Sequence, residues 1–433
     1  LRFIAVSLAL TACLLLASAA PASQATNKGK VTELHFLGMR SFPEERLLAI
    51  SGLHVGDLVG KEDLQAAADR LAQTGFFAKV NYEFRSKGDA LEVNFRVEEA
   101  PRVPVLFDNI PWFTDSELAD AIRKVVPVFD GTAPQDGAVL DQMAEAVRGL
   151  LEARGLKLIV EHQLLADPQG EGQIQEFHVT GANLKIGRIE FNDRLAMESR
   201  AIQQHVRDLL GKPYSRLTLE IFQFEQVRPV YLEKGYVRVR PGKPEVRLTA
   251  NPNQPLPESI DVLLPIEPGA VYHWAGAQWS GNSAISSAYL DVLMGLRSGD
   301  VADGQKIQSA WEKISDDYAR RGYLDATLDA QPAYDDAAHK VSYQVRITEG
   351  PQYRYGEMVV TGLSVAGEKK VRDGWRLPPG EVFDRSKFED YLIQLQKRSP
   401  EIFGELPVHY DEVGHWLRKN PEAKKVDILL DFK

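Results

Sequence analysis

The stretch "LAQTGFFAKVNYEF", Leu71 to Phe84, passes from a helix to a strand across a single glycine. Gly75 suits the helix end, where a residue without a Cβ takes the left-handed conformation at little cost. The residues after it are aromatic, β-branched and roughly alternating, as a half-buried strand requires. The same joint returns in "LLEARGLKLIVEHQ" (Leu150 to Gln163), "YLEKGYVRVRP" (Tyr231 to Pro241) and "YARRGYLDATLDA" (Tyr318 to Ala330). Gly75, Gly155, Gly235 and Gly322 are 80, 80 and 87 residues apart, and a degenerate fifth joint, "SPEIFGELPVHY", places Gly404 82 residues further on. Self-similarity at a fixed period is the mark of a repeat architecture.

Other landmarks keep the same period. A glycine opens the second helix of each unit: Gly56 in "GDLVGKEDLQAA", Gly131 in "GTAPQDGAVLDQM", Gly211 in "GKPYSRLTLEIF", Gly299 in "GDVADGQKIQSAW" and Gly380 in "GEVFDRSKFEDYL". Three units close on a strand that ends with an acid beside Gly or Pro: "LEVNFRVEEAP", "IDVLLPIEPG" and "VSYQVRITEGP". Each unit therefore reads as strand, helix, helix, strand, strand. In the first, "VTELHFLG" is the opening strand, and Pro43 stands in the favoured first turn of "PEERLLAISGL". Leu64, Ala67, Ala68 and Leu71 form the apolar stripe of a helix lying on a sheet. Ile307, Ala310, Trp311 and Ile314 repeat it, as do Phe388, Tyr391, Leu392 and Leu395. The fold class is α+β, with five units of about 80 residues, each able to bury its own core.

This order, with "GDLV…KEDLQ…LAQTGFFAKV…VNFRVEEAP", resembles the POTRA domain, the polypeptide-transport-associated repeat. The resemblance runs from about Val31 to Lys433 and is strongest in units one, three and four. It implies five tandem βααββ domains, each a three-stranded mixed sheet with two helices on one face and the closing strand in the middle. The expected boundaries are a signal peptide at 1–22, a linker at 23–30, and domains at 31–100, 101–182, 183–269, 270–350 and 351–433. It also implies that the joint glycines Gly75, Gly155, Gly235 and Gly322 have a backbone role. Arrays of this kind stand on the periplasmic side of outer-membrane assembly and translocation barrels, which implies a place in the periplasm or at the periplasmic face of the outer membrane. In the barrel-assembly family a membrane β-barrel follows the last repeat. Here "VDILLDF" is followed by Lys433, so the expectation is a chain that does not insert substrates through its own barrel. A split barrel-assembly protein is the alternative.

The N-terminus agrees with export. Arg2 precedes an apolar run from Phe3 to Ala20, and Ala20-Pro21-Ala22 fits a signal-peptidase site, so the mature chain is expected to begin near Ser23. The run is also long enough to stay as an anchor. Its Cys13, in "LTAC", loosely resembles a lipobox, although the apolar residues after it suit membership of the run. It is the only cysteine, so the mature body has no disulfide framework.

Composition and motifs weigh against chemistry. With 44% hydrophobic and 26% charged residues and a net charge of −10, the chain is globular and lacks a basic footprint for nucleic acid. The nine histidines show no metal spacing; His409 and His415 in "VHYDEVGH" read as a polar strand-to-turn segment. No phosphate loop and no nucleophile elbow appear, so no cofactor and no small-molecule substrate are expected. Asp316-Asp317 and Asp335-Asp336 read as solvated charges.

Binding is the better-supported activity. A strand at a sheet edge can accept an extended peptide. The expected edges are "FFAKVNYEF", "LKLIVEHQLL", "YVRVRP", "YLDATLDA" and "PVHYDEV". The first choice is Tyr236, Val237, Arg238, Val239 and Arg240, whose alternation turns the valines to the helices and the arginines to solvent. Between Arg200 and Arg247 ten basic residues face five acidic ones, which suits an acidic partner or an anionic membrane surface if it is more than a solvated face. The expected function is a binding scaffold or chaperone-like module for unfolded outer-membrane proteins or envelope assembly proteins. A spacer that links envelope complexes is the alternative.

Overall fold

A computed structural model describes residues 28–167, 170, 172–246, 248, 257–403 and 410–433. The expected signal peptide, Cys13, Gly404 and His409 lie outside the described residues.

The order strand, helix, helix, strand, strand recurs five times. In repeat one the elements are Gly29–Leu37, Glu44–Ser51, Lys61–Gln73, Phe77–Lys87 and Ala90–Glu99. The opening strand runs parallel to the closing strand, and the post-joint strand Phe77–Lys87 runs antiparallel to it on the other side. The closing strand is central because parallel neighbours need a long crossover, which the two helices supply, while a tight hairpin sets its antiparallel neighbour. Repeats two, four and five have the same order. The opening strand's outer side carries a short extra pairing, Leu58–Val59 in repeat one and Thr132–Pro134 in repeat two. Single bridges to Pro213, Val301 and Val382 do the same in the last three. That leaves the post-joint strand as the open edge.

The helical stripes face the sheets. Leu64, Ala67, Ala68 and Leu71 are buried, as are Ile307, Ala310 and Ile314, and Phe388, Tyr391, Leu392 and Leu395. Trp311 is half-buried and packs on the core of repeat four with Trp279, the two rings 5.9 Å apart. Gly75, Gly155, Gly235 and Gly322 have φ of 72°, 79°, 86° and 83°, the left-handed region that lets each helix end turn straight into the next segment. The chain divides into two compact units, repeats one and two in one and repeats three to five in the other.

Repeat three departs from the expected strand. Among the described residues after the joint, Arg240–Pro241 is the one strand, paired with Ile266–Glu267, and Glu245 makes a single bridge to Leu263. Tyr236 to Val239 form a turn, closed by the Val239 N–H on the Tyr236 carbonyl at 3.0 Å. In repeat four the strand likewise begins only at Thr327, five residues past Gly322. Aromatic and β-branched residues suit a buried turn as well as a strand, and tertiary packing decides between them. The second helix of repeat three is also irregular: Arg216–Phe222 and Arg228–Glu233 are joined by a π-helical turn, Gln223–Val227. Pro229 follows that turn, and the wider winding accommodates its ring and missing N–H. In repeat five the edge strand among the described residues is Val413–Asn420. Of "PVHYDEV", residues 407–409 lie outside the described residues, Tyr410 to Glu412 are not extended into the ladder, and only Val413 belongs to the strand.

Candidate functional site

The post-joint strands Phe77–Lys87, Ile159–Ala166, Thr327–Asp335 and Val413–Asn420 each pair with a closing strand on one side only among the described residues. Each therefore presents backbone donors and acceptors on its other side. Two of these edges run beside a groove under the second helix. In repeat five a groove of about 250 Å³ lies between Arg385–Gln396 and Val413–Asn420, with Phe388, Leu392, Leu324, Trp416 and Leu417 among its walls. Trp416 is 55% exposed there, an aromatic held on an open strand. In repeat two a groove of about 700 Å³ lies between Ala138–Ala153 and Ile159–Ala166 and is polar, lined by Asp141, Glu145, Arg148, His162 and His178. His162 Nε2 stands 3.3 Å from Asp141 Oδ1 across it. Ile159 is 62% exposed on the same edge. The grooves were not read from the sequence, because they need the helix and the edge side by side; the exposed Trp416 in an alternating strand was the available signal.

Repeat four's edge differs chemically. Pro332 sits within Thr327–Asp335, and the pairing with Lys340–Thr348 continues unbroken past it. A proline cannot donate to a ladder, so its nitrogen belongs on the open side, where an added strand would find no N–H.

The acids that end the closing strands are structural. Glu99 Oε1 accepts the N–H groups of Arg40 at 2.7 Å and Ser41 at 2.8 Å, tying the loop after the opening strand. Burial pushes the Glu99 carboxyl up, but these N–H groups and Arg102 outweigh it and hold the group below its ordinary value. Glu349 does the same work in repeat four, accepting from Ala284 N–H at 2.7 Å and the Tyr318 hydroxyl at 3.1 Å.

The residues expected to bind a partner in repeat three are placed otherwise. Val237 packs against the core of repeat four, and Val239 is buried. Arg238 donates to the Tyr272 hydroxyl at 3.2 Å and to Asp336 at 3.1 Å, and lies 5.0 Å over the Tyr334 ring. Arg238 and Arg240 are both exposed as anticipated, but only Arg240 lies on the two-residue strand, while Arg238 stands in the turn. The joint glycines at this end pack closely: a Cβ on Gly235 would stand 2.8 Å from Val301 Cγ1 and 3.0 Å from the Tyr272 carbonyl. One on Gly75 would stand 2.8 Å from Val139 Cγ1. For Gly322 the neighbours are the Tyr353 carbonyl at 2.7 Å and Val382 Cγ1 at 2.9 Å.

Three of the four paired acids have ordinary partners. Asp317 accepts from Arg321 at 2.9 Å, Asp335 from the Ala338 N–H at 2.9 Å, and Asp336 from Arg238 and Tyr272. Among the described residues no group of His, Cys, Asp and Glu is arranged to hold a metal ion, and no helix is long and apolar enough to cross a membrane.

Comparison with known proteins finds partial likenesses. The family described as POTRA, surface antigen variable number repeat, matches residues 29–100 and 272–350. A protein of Treponema pallidum (strain Nichols), provisionally named an outer membrane protein assembly factor, is 22% identical over 275 residues, 62% of this chain and 31% of that protein. The outer membrane protein assembly factor BamA of Buchnera aphidicola is 18% identical over 384 residues, 86% of this chain and 60% of that protein. The chain thus spans about a third to three fifths of the length of these relatives. The crystal structure of BamA POTRA domains 3–5 from Haemophilus influenzae matches with a TM-score of 0.43 and 19% identity, covering 58% of this chain and 96% of that one.

Proposed function

We propose, from the premise that this is a chain of tandem POTRA repeats, that it is a periplasmic protein-binding scaffold in outer-membrane protein assembly, holding extended segments of unfolded outer-membrane proteins by strand addition. The observation that carries the reading is the one-sided pairing of the post-joint strands, two of them beside a groove that can take the side chains of an added strand. Backbone pairing is indifferent to side chains, which suits a handler of many sequences. The edges of repeats one, two and five are the acceptors; Pro332 makes repeat four a poor one. Tyr236 to Arg240 fall out of the first rank, because Val237 and Arg238 are engaged with repeat four, though Arg240 can add charge at its short strand.

The test uses a peptide of alternating apolar residues and a copy N-methylated at one residue that faces the edge. Binding is read from Trp416 fluorescence, and from photo-crosslinkers placed at Ile159 and Ala333. One lost backbone hydrogen bond weakens binding by about 0.5–1.5 kcal/mol, roughly 2- to 13-fold. Equal binding of both peptides would mean that side-chain contacts, not strand addition, hold the ligand. The spacer reading rests on a separate observation, the close packing of Gly235 and Gly322 against the following repeats. No crosslink and no fluorescence change with any strand peptide would favour it.

A further inference from the structure

We infer that the joint turns of repeats three and four are charge-coded connectors, which lock repeats three, four and five into one body and specify which repeat follows which. The two turns have the same plan. Gly235-Tyr236-Val237-Arg238 and Gly322-Tyr323-Leu324-Asp325 each begin with the left-handed glycine. The glycine carbonyl accepts an N–H from the next repeat, from Tyr272 at 2.9 Å and from Tyr353 at 2.7 Å. The following tyrosine turns back on its own repeat, Tyr236 on Tyr231 and Tyr323 on Tyr318. The third residue reverses direction: Val237 packs on the core of repeat four, and Leu324 on the core of repeat five.

The fourth residue carries the charge. At the first of these joints Arg238 reaches the Tyr272 hydroxyl and Asp336, and that hydroxyl itself donates to Asp336. At the second, the Tyr353 hydroxyl donates to Asp325 at 2.5 Å, and Lys419 donates to the same carboxylate. The tyrosines occupy equivalent places, just before the paired part of the opening strand. Asp336 and Lys419 occupy comparable places too, at the hairpin end of the post-joint strand. The charges are exchanged: base on the connector and acid on the hairpin at one joint, acid on the connector and base on the hairpin at the other.

The weight of the device lies in the tyrosines. Asp325 and Lys419 are 32% and 39% exposed, so their pairing alone is modest. Tyr353 is fully buried, and Tyr272 nearly so, and a buried hydroxyl left without its acceptor is costly. A connector from repeat three set against repeat five would bring Arg238 to Lys419, like against like and with no acid for the tyrosine. Mispairing is thus opposed as well as correct pairing favoured. The other two joints read Gly75-Phe76-Phe77-Ala78 and Gly155-Leu156-Lys157-Leu158, with no charge in the fourth place.

The experiment uses the full chain with Cys13→Ser, leaving no native thiol. Spin labels go on Val292→Cys in repeat four and Val365→Cys in repeat five, which are 73% and 85% exposed. Asp325→Lys is expected at least to double the width of the label–label distance distribution. Adding Lys419→Asp restores the salt-bridge partner and is expected to return the width to that of the parent. A parent-like width in Asp325→Lys would overturn the proposal, as would a double variant as broad as the single one. If Asp325→Lys unfolds repeat five, the double variant decides alone: a parent-like width supports the connector and a broadened one overturns it.

Discussion

Replacing Gly322 with alanine adds one methyl group at a place where the structure leaves none to spare. The backbone there has φ of 83°, and a Cβ would meet the Tyr353 carbonyl at 2.7 Å and Val382 Cγ1 at 2.9 Å. That carbonyl is not free to retreat, because it accepts the Phe383 N–H at 3.0 Å while the Tyr353 N–H is held by Gly322 at 2.7 Å. Gly380 is the control: φ is 89°, and nothing lies within 4 Å of its Cβ position. Both substitutions incur left-handed strain of roughly 1–2 kcal/mol. Only Gly322→Ala adds overpacking, about 1–3 kcal/mol. The difference should appear as a roughly 5- to 160-fold greater loss of amide protection at Tyr353 and Phe383, one tenfold step for each 1.4 kcal/mol. Hydrogen exchange is the right assay because a chain of several domains has no single unfolding free energy. Equal losses in the two variants would refute the claim that the joint glycine is held by its neighbour repeat, and would leave only its dihedral angle as its reason.

Leu324→Ala should lower protection in repeat five more than in repeat four, by about 2 kcal/mol for a half-buried leucine, since its side chain packs on the repeat-five core; hydrogen exchange resolved by repeat checks it. Glu99 is held below its ordinary pKa, so its stabilisation is complete above about pH 4.3 and is lost as pH falls through the lower folded value. Glu99→Gln should therefore cost repeat one about 1–3 kcal/mol at neutral pH and flatten its acid limb, read from urea midpoints of that repeat at pH 6 and pH 3. Pro332→Thr should supply the missing donor and raise crosslinking of strand peptides from Ala333 toward the yield at Ile159; an unchanged yield would mean that the proline is not what closes that edge.

Much of the fold was written in local chemistry. The four joint glycines, the stripes at Leu64, Ile307 and Phe388, and the alternation of the closing strands are set by backbone sterics and by helical and strand periodicity, which neighbouring residues carry among themselves. Those features decided the βααββ order and the repeat. Tertiary structure alone decided where the letters after each glycine point. "YVRVR" alternates like a strand, yet Val237 belongs to the next repeat's core and Arg238 to its tyrosine, because the burial available across the joint outweighs a short edge pairing. Glu99 meets the amides of Arg40 and Ser41, and Lys419 meets Asp325, across 59, 58 and 94 residues of chain. The groove beside Trp416 exists only once a helix and an edge strand from separate stretches are laid together. Periodicity reports that a side chain will be buried; it does not say which repeat will bury it.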